Sequence, residues 1–272
     1  MKDVVVVKTG GKAASDAAAM TALFREMQGL SAQYAFILVH GGGAELSRIS
    51  KVFNLEPVFK DGVRLTTPPE MEIADMVLAG KMNKELVRLG NTAGCKAVGL
   101  SGCDGCIFTG KALSDASHTG KVTGVDAGLL ALLLDNGYLP VVSSVSMEAG
   151  GKALNINADE AALAVAQAMK ARKLFFISDI PGVLKEGKVI SLLTKVQSKE
   201  EIASGVISGG MIPKVNSSIT ALEKGVKEIS IGEYKVLGDL EKTIERKIGH
   251  HRERGKGRAP PARRRRPGDR GP

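Results

Sequence analysis

Apolar and polar positions follow two alternating patterns along the chain. Short, continuous apolar runs predict strands buried on both faces, and longer stretches with an apolar residue every three or four positions predict helices. Residues 4–8 form the first such run, and Met20, Leu23, Phe24 and Met27 recur at helical spacing after it. Because the two patterns alternate throughout, the sequence predicts an α/β fold with a mainly parallel sheet covered by helices.

The same patterns predict the remaining elements. Further strands are expected at 35–40, 58–60, 63–65, 97–100, 139–142, 174–178 and 228–231, and helices from about 15, through 46–49, and at 67–92, 126–136, 158–170, 214–224 and 239–246. Asp61-Gly62 is typical of a hairpin turn between two of these strands. Thr67 and Glu70 have the spacing of a capping box, with Pro68 at the first helical position.

Two glycine turns follow predicted strands and precede predicted helices. They are Gly10-Gly11 and Gly41-Gly42-Gly43. Glycine lets backbone N–H groups approach an anion closely, and the amino end of the next helix adds favourable polarity. Neither turn has the spacing of a Walker loop or a dinucleotide-binding loop, and structural tightness alone would explain either one. Two of them at the edge where open α/β sheets bind ligands favour an anion-binding site.

Two lysines stand beside glycine turns. Lys8 ends the first strand, and Lys214 begins a helix after Gly209-Gly210. From position alone, Lys8 either marks where the chain reaches solvent or faces a ligand, and both interpretations stay open. Lys214 by itself is more typical of a surface lysine, since lysines are mostly exposed.

Arg64 follows the predicted hairpin turn. An arginine there can grip a carboxylate through two parallel hydrogen bonds, although an exposed hairpin arginine is the commoner case. Farther along, Asn155, Asn157 and Asp159 come together at the start of an alanine-rich helix. Helix capping by Asn157 explains one of these three side chains and leaves the other two unexplained.

The other polar candidates have structural interpretations. Asp179 precedes a Pro-Gly turn, and His40 at a strand end is more typical of a packed residue than of a general base. Cys103 and Cys106 have the spacing of a zinc or redox pair, but a structural zinc site needs four ligands and Cys95 is the only other cysteine. We therefore expect no metal site built from protein side chains.

The net charge of +9 is concentrated at the carboxyl terminus. Residues 250–272 hold nine Lys or Arg and two acidic residues, a net of +7, which leaves +2 for residues 1–249. Residues 249–272 are therefore predicted to be a disordered, solvated tail, with binding to polyanions as the less favoured alternative. The near-neutral remainder and its few aromatic residues argue against a nucleic-acid binder.

Targeting signals are missing from the sequence. No apolar stretch approaches the roughly 20 residues that cross a bilayer, and the first residues lack the pattern of a signal peptide. Three cysteines cannot complete a disulfide framework and suit a reducing compartment. We expect a cytoplasmic protein with no membrane association.

Six segments, in this order and spacing, resemble the amino acid kinase family. They are Lys8-Thr9-Gly10-Gly11, His40-Gly41-Gly42-Gly43, Gly62-Val63-Arg64-Leu65-Thr66, Asn155-Ile156-Asn157-Ala158-Asp159, Ser178-Asp179-Ile180-Pro181-Gly182-Val183 and Gly209-Gly210-Met211-Ile212-Pro213-Lys214-Val215-Asn216. The resemblance runs from residue 4 to about 249. It implies a three-layer α/β sandwich with an open, mainly parallel central sheet. Residues 1–170 would bind an acyl amino acid and form a dimer contact, and residues 171–248 would bind ATP.

The resemblance also implies a reaction. It is the ATP-dependent phosphorylation of the side-chain carboxylate of N-acetyl-L-glutamate, which gives N-acetylglutamyl 5-phosphate and ADP in arginine biosynthesis. The alternative is a kinase for another acylated glutamate, or for carrier-linked 2-aminoadipate in lysine biosynthesis, because the choice of acyl group depends on pocket shape.

Roles for individual residues follow from the same resemblance. The implied catalytic residues are Lys8 and Lys214, which would flank the phosphoryl group, and Asp159, which would orient them. The implied substrate-binding residues are Gly42, Gly43, Arg64, Asn155 and Asn157. The implied nucleotide-binding residues are Gly10, Gly11, Asp179, Gly182, Gly209 and Gly210. Mg²⁺ would bind largely through the nucleotide phosphates.

These residue types suit the implied chemistry. A Glu-like carboxylate, with a pKa of about 4.3, is ionised at neutral pH and needs no general base. The obstacle is repulsion from the γ-phosphate, on the order of 4 kcal/mol for two unit charges 4 Å apart in a partly shielded site. Cations and oriented N–H groups must therefore stabilise the charge of an in-line transfer.

Some features depart from the family pattern. Thr9 stands where an aliphatic residue is common, and Cys103 and Cys106 lie where the family usually has Lys-Asp-Gly-Gly. The family's closing strand is replaced by the basic tail after Gly249. Arginine-inhibited members carry an extra helix before the first strand, so we expect a homodimer that arginine does not inhibit. A non-catalytic sensor on the same scaffold is disfavoured because the three implied catalytic residues are present.

Overall fold

The computed structural model describes residues 2–10, 13–60, 63–190, 193–209 and 211–245. The strands are β1 Asp3–Thr9, β2 Tyr34–His40, β3 Val58–Lys60, β4 Val63–Leu65, β5 Ala97–Ser101, β6 Phe108–Ala112, β7 Thr119–Val125, β8 Leu139–Ser143, β9 Val145–Met147, β10 Ala153–Ile156, β11 Lys173–Ile177, β12 Leu184–Lys185, β13 Lys188–Val189 and β14 Glu228–Gly232. The α-helices are α1 Ala17–Leu30, α2 Gly43–Val52, α3 Pro68–Ala74, α4 Asn83–Thr92, α5 Gly128–Asp135, α6 Ala158–Ala168, α7 Lys195–Ala203, α8 Met211–Glu223 and α9 Asp239–Glu245.

A six-stranded sheet in the order β14-β11-β1-β2-β8-β5 forms the centre of the molecule. Every neighbouring pair in it is parallel, so the prediction of a mainly parallel central sheet is confirmed. The predicted strands are present, and β11 ends at Ile177, one residue earlier than expected. β3 and β4 pair antiparallel as the predicted hairpin, although its turn residues Asp61 and Gly62 lie outside the described residues.

Successive side chains of β1 serve two helical layers because they point to opposite faces of the sheet. Val6 packs in one buried cluster with Ala161 of α6 and Leu130 of α5. Val7 packs in the other with Leu23 of α1, together with side chains of α4 and α9. Helices therefore cover both faces, and the expected three-layer α/β sandwich is confirmed.

A second, smaller sheet closes on itself through β10, β7, β6 and β9. The sequence patterns did not predict it, because its strands are short and β6 and β7 carry glycines in place of a continuous apolar run. At Gly110 and Gly120 an added Cβ would meet Leu154 at 2.8 Å, so these glycines let the ring of strands close tightly. Asn155 lies on β10, which ends two residues before α6 begins at Ala158.

The predicted helix from Thr67 to Thr92 is present, but a π-helical segment, Asp75–Met82, separates α3 from α4. Its start is confirmed: Thr67 N–H donates to Glu70 Oε2 at 3.1 Å, which is the predicted capping box. Segments of π-helix are rare and occur often at functional sites. Here the segment is followed directly by Asn83, a buried polar residue treated below.

The predicted boundary near residue 170 falls between α6 and β11, and the central sheet continues across it. The division into two lobes stays a prediction. The predicted tail, residues 249–272, lies outside the described residues. Within the described part of the chain, no helix has the length and apolar character to span a membrane.

Candidate active site at the carboxyl edge of the sheet

Three strands end side by side at one edge of the sheet. Lys8 of β1 is level with Phe176 of β11 and with Val39 of β2, and Thr9 is level with His40. Because the strands are parallel, the turns that follow them meet at this same edge. The first glycine turn after β1 and the second after β2 are therefore neighbours, as the sequence predicted for a ligand-binding edge.

Lys8 lies on the face of the sheet that α6 covers, in the same alternating row as Val4 and Val6. Its ammonium group pairs with the carboxylate of Asp159, in the first turn of α6, at 2.7 Å. The Lys8 side chain is 13% exposed. Of the two interpretations left open by its position, the geometry therefore argues against a lysine that simply reaches bulk solvent.

Asp159 is held in place by the start of its own helix. Asn157 is the N-cap of α6, and its side-chain oxygen accepts a hydrogen bond from Asp159 N–H at 2.8 Å. The capping interpretation of Asn157 is thus confirmed, and it accounts for the orientation of Asp159.

Lys214, in the first turns of α8, reaches the same carboxylate. Its ammonium nitrogen lies 3.5 Å from Asp159 Oδ2 and 5.6 Å from the ring centre of Phe176. The aromatic face attracts a cation, so Phe176 helps to place the lysine. The Lys214 side chain is 17% exposed, which does not fit the interpretation as an ordinary surface lysine.

We call Lys8, Asp159 and Lys214 the two-lysine centre. Two ammonium groups, from elements far apart in sequence, converge on one carboxylate of which 25% is exposed. Gly10 belongs to the same region, because an added Cβ there would lie 2.7 Å from the Lys8 ammonium. The formal charge of the three side chains is positive, so the centre attracts an anion.

The second glycine turn lies against the π-helical segment. An added Cβ at Gly42 would lie 2.1 Å from Met82 Sδ and 2.7 Å from Leu78 Cδ2, so a larger residue there would require both side chains to move. Gly41 N–H donates to Thr9 O at 3.0 Å, which ties the two glycine turns together. Gly43 opens α2, so the free N–H groups of that helix begin at the sheet edge.

Arg64 is buried, with 8% of its side chain exposed, so the interpretation as an exposed hairpin arginine was wrong. Its Nη2 donates to Gly43 O at 3.3 Å and also to Ser47 Oγ, and its Nη1 lies 3.6 Å from Glu70 Oε1. The guanidinium lies 4.8 Å from the ring centre of Phe59. Burial lowers the pKa of Arg64 and Glu70 opposes that shift. We call these five residues the Arg64 pocket.

Asn155 joins the hairpin that carries Arg64. Its Nδ2 donates to Thr66 Oγ1 at 3.0 Å, and Thr66 N–H donates to Thr119 Oγ1 at 2.8 Å. Thr119 Oγ1 in turn donates to Arg64 O at 2.7 Å. Hydrogen bonds between the small sheet and β4 therefore place Asn155 and Arg64 in one part of the molecule.

The structure gives less for the expected nucleotide-binding residues. Asp179 lies in the exposed loop after β11, where its carboxylate accepts a hydrogen bond from Ser178 Oγ at 3.3 Å. Gly182 has a φ of +143°, with Val189 3.0 Å from an added Cβ, and Gly209 has a φ of +54°. These glycines have conformational reasons to be there. Gly11 and Gly210 lie outside the described residues.

A metal ion bound by protein side chains has little support in the described ranges. They contain no group of three or more His, Cys, Asp or Glu that could hold one. Cys103 and Cys106 are exposed free thiols, and Cys103 Sγ lies 3.0 Å from Ser101 Oγ. The Asp159 carboxylate already pairs with two ammonium groups, which suits orientation of lysines better than ligation of a cation.

Sequence reasoning missed several residues of the site. The Arg64 guanidinium contacts Ser47 and Phe59, and the Lys214 ammonium lies beside Phe176. Each of these three neighbours lies in an ordinary helical or strand pattern, with no motif to single it out. Glu70 was predicted only as half of a capping box. Its second role, beside Arg64, depends on how α3 packs against the hairpin, which no local pattern reports.

Comparison with known proteins identifies the class that this fold and site define. The sequence matches the amino acid kinase family over residues 3–233, and the chain belongs to that family. An acetylglutamate kinase of Geobacillus sp. (strain WCH70) is 39% identical over 234 residues, covering 85% of this chain and 90% of that protein. An acetylglutamate kinase of Synechocystis sp. (strain ATCC 27184 / PCC 6803 / Kazusa) is 42% identical over 234 residues, covering 84% and 79%.

A solved structure is similar over most of the chain. The crystal structure of smu.665 from Streptococcus mutans UA159 aligns with a TM-score of 0.76 at 28% identity. The alignment covers 86% of this chain and 96% of that one. The predicted family and its fold are therefore confirmed by sequence and by structure.

Proposed function

We propose that this protein is an acetylglutamate kinase, which transfers the γ-phosphoryl group of ATP to the side-chain carboxylate of N-acetyl-L-glutamate. The observation that carries the proposal is the two-lysine centre, in which Lys8 and Lys214 share the carboxylate of Asp159. Relatives about 40% identical over most of the chain bear that enzyme's name.

Recognition of the acyl amino acid is assigned to the Arg64 pocket and Asn155. A buried guanidinium held by its neighbours presents its remaining N–H groups in a fixed direction, which suits the α-carboxylate of the substrate. The Asn155 amide can offer both a donor and an acceptor to the N-acetyl group and the α-carboxylate. Gly42 and Gly43 supply backbone N–H groups at the reacting end.

The transfer itself needs charge stabilisation more than proton movement. An oxygen of the ionised side-chain carboxylate attacks the γ-phosphorus, the bond from that phosphorus to the bridging oxygen breaks, and ADP leaves. Lys8 and Lys214 would move part of their interaction from Asp159 to the phosphoryl oxygens as charge develops there. Asp159 keeps both ammonium groups aimed at one point and so limits their reorganisation.

The nucleotide is assigned to the loops after β11 and before α8, with Asp179, Gly182, Gly209 and Gly210, and to the first turn, Gly10 and Gly11. Mg²⁺ fits this site as an ion held mainly by the phosphates of ATP, since magnesium retains phosphate and water ligands readily. When bound, it neutralises phosphate charge. The residues of this chain that would then contact the phosphoryl group are Lys8 and Lys214.

A hydroxamate assay with several acceptors tests the proposal. Purified protein is incubated with ATP, Mg²⁺ and hydroxylamine, which traps the acyl phosphate. The acceptors are N-acetyl-L-glutamate, N-succinyl-L-glutamate, N-acetyl-2-aminoadipate and free glutamate. We expect the highest kcat/KM with N-acetyl-L-glutamate. A higher value with N-acetyl-2-aminoadipate would support the lysine-pathway alternative, and no product with any acceptor would refute a carboxylate kinase.

We also propose a cytoplasmic homodimer. The three cysteines are free thiols, which supports a reducing compartment. The dimer rests on the family resemblance, which assigns the contact to residues 1–170. Light scattering of the purified protein should give twice the mass of the 28.5 kDa chain. A monomer or a stable hexamer would contradict this assignment.

A further inference from the structure

A buried polar pair lies behind the second glycine turn, and the mechanism above uses neither member. His40 ends β2, and Asn83 opens α4 directly after the π-helical segment. Both residues are 0% exposed. Buried polar groups are costly unless hydrogen-bonded, so the partners of this pair show what the pair holds in place.

The partners of Asn83 fix the orientation of its amide. Its Nδ2 lies 2.9 Å from Val141 O and 3.1 Å from Leu100 O, and carbonyl oxygens can only accept. Its Oδ1 lies 3.1 Å from the ammonium of Lys84, which can only donate. The contacts of the amide nitrogen and of the amide oxygen thus give the same orientation of the side chain. Its NH₂ group faces residues of three strands, β2, β5 and β8.

This orientation decides which nitrogen of His40 carries the proton. Asn83 Nδ2 can only donate and lies 3.1 Å from His40 Nε2, so a hydrogen on Nε2 would face the NH₂ group and is disfavoured. The proton of the neutral imidazole is therefore on Nδ1, which lies 3.1 Å from Gly41 O and donates to it. Burial lowers the pKa of His40 to about 4; the bond to Gly41 opposes this shift and the charge of Lys84 adds to it. His40 is neutral at neutral pH.

A held carbonyl also fixes an N–H group. In a trans peptide the C=O and N–H bonds point in opposite directions, and the chain has no cis peptide among its described residues. With Gly41 O bound to the buried imidazole, the N–H of the same peptide, which belongs to Gly42, points away from it. Gly41 N–H is held by Thr9 O at 3.0 Å, so the turn is fixed on both sides.

We propose that Asn83 and His40 are positioning residues for phosphoryl transfer: Asn83 selects the Nδ1–H tautomer of His40, which holds the Gly41 carbonyl and thereby aims the Gly42 N–H at the reacting groups. The inference rests on the proposed function, because that function assigns Gly42 to the reacting end of the substrate. The proposal connects Asn83 of α4, His40 of β2 and the glycine turn after β2 through side-chain hydrogen bonds.

Two substitutions of His40 separate the two ring nitrogens. An Asn side-chain nitrogen overlays Nδ1, and a Gln side-chain nitrogen overlays Nε2. His40→Asn should keep the bond to Gly41 and a kcat within about threefold of wild type, whereas His40→Gln should lower kcat about tenfold or more, as expected for a misplaced reacting group. Losses of equal size in both variants, in step with their thermal stability, would show a packing role only.

A pH profile tests the role of Asn83. Asn83→Asp replaces the donor with a carboxylate, which draws the proton of neutral His40 to Nε2 and leaves a lone pair facing Gly41 O. Acidification adds the second proton and restores Nδ1–H, so the kcat of the variant relative to wild type should rise at least threefold from pH 8 to pH 6. Lys84, beside the new carboxylate, is retained in both proteins.

Asn91→Asp is the matched control. Asn91 lies on the same helix and pairs with the backbone of Ala97, at 2.9 Å from Ala97 N and 3.3 Å from Ala97 O. The kcat of Asn91→Asp relative to that of wild type should not change between pH 8 and pH 6. A flat ratio for Asn83→Asp as well would overturn the inference.

Nitrogen-15 NMR reads the tautomer without reference to turnover. The chain has four histidines, and the His40 signals are assigned by their loss in His40→Gln. We expect a neutral Nδ1–H imidazole in wild type from pH 8 to pH 6. An Nε2–H tautomer in an active wild type would overturn this inference alone, whereas a wild type without kinase activity would overturn the proposed function.

Discussion

The two-lysine centre and the Arg64 pocket both set a cation beside a carboxylate, but they are built differently. In the first, Lys8 and Lys214 share Asp159, and 13% to 25% of each side chain is exposed. In the second, Arg64 and Glu70 are 8% and 4% exposed, and the guanidinium has a carbonyl, a hydroxyl and an aromatic ring as further neighbours.

The difference separates two tasks. Phosphate oxygens can compete with Asp159 for the two lysines, because these side chains are partly exposed and are held mainly by one carboxylate. The Arg64 guanidinium is held by several groups, which suits recognition of a constant charge. Substitutions in the first region should therefore change turnover, and those in the second should change substrate affinity and stability.

The largest expected effect is on turnover, and it comes from substitutions in the two-lysine centre. Lys8→Ala and Lys214→Ala should each lower kcat about 10²–10³-fold, because each removes a cation that stabilises the charge of the transfer. The KM for N-acetyl-L-glutamate should change much less. Steady-state kinetics measure both quantities, with Lys111→Ala, an exposed lysine of β6, as the control. A loss confined to KM would contradict the assignment.

The next effect, on affinity, belongs to the Arg64 pocket. Arg64→Lys keeps the charge but cannot make two parallel hydrogen bonds, so the KM for the acyl amino acid should rise about tenfold or more while kcat stays within about threefold. The KM for ATP should not change. Arg48→Lys is the matched control, since Arg48 pairs with Glu45 on the surface of α2. If the KM for ATP rose equally, the assignment of Arg64 to the acyl amino acid subsite would be wrong.

The smallest expected effect is on the free energy of unfolding. It is tested by the same change, from a carboxylate to an amide, in both regions. Glu70→Gln leaves the Arg64 charge buried without a carboxylate, so the free energy of unfolding should fall by about 1–3 kcal/mol. Asp159→Asn removes a more exposed partner and should lower it by less than about 1 kcal/mol, yet only this variant should lose kcat, by about tenfold. Urea unfolding and kinetics give both readouts, with Glu72→Gln on α3 as the control. Equal losses of unfolding free energy in Glu70→Gln and Asp159→Asn would contradict the difference drawn between the two regions.

The central sheet was predictable because buried parallel strands have continuous apolar runs. β1, β2, β8 and β11 all show this pattern, and each was placed within about one or two residues. The closed small sheet was not predictable from local patterns. β6 and β7 alternate small, polar and apolar residues, and they are strands because they pair antiparallel with each other and close a sheet with β9 and β10.

The candidate site divides in the same way. Lys8, Lys214 and Asp159 were singled out by motifs, although only the fold shows two lysines meeting at one carboxylate. Asn83 had no signal, since one asparagine in a long helical pattern is unremarkable. Its importance comes from the π-helical segment, which brings it beneath the ends of β2, β5 and β8.

The central claim is that lysines from two distant elements act together on the transferred group. The most direct measurement is a crystal structure of the protein with ADP, Mg²⁺, N-acetyl-L-glutamate and a planar aluminium or magnesium fluoride in place of the phosphoryl group. The account predicts both ammonium nitrogens, of Lys8 and Lys214, within about 2.7–3.2 Å of that planar anion. An anion bound elsewhere, with either lysine still paired to Asp159 alone, would contradict it.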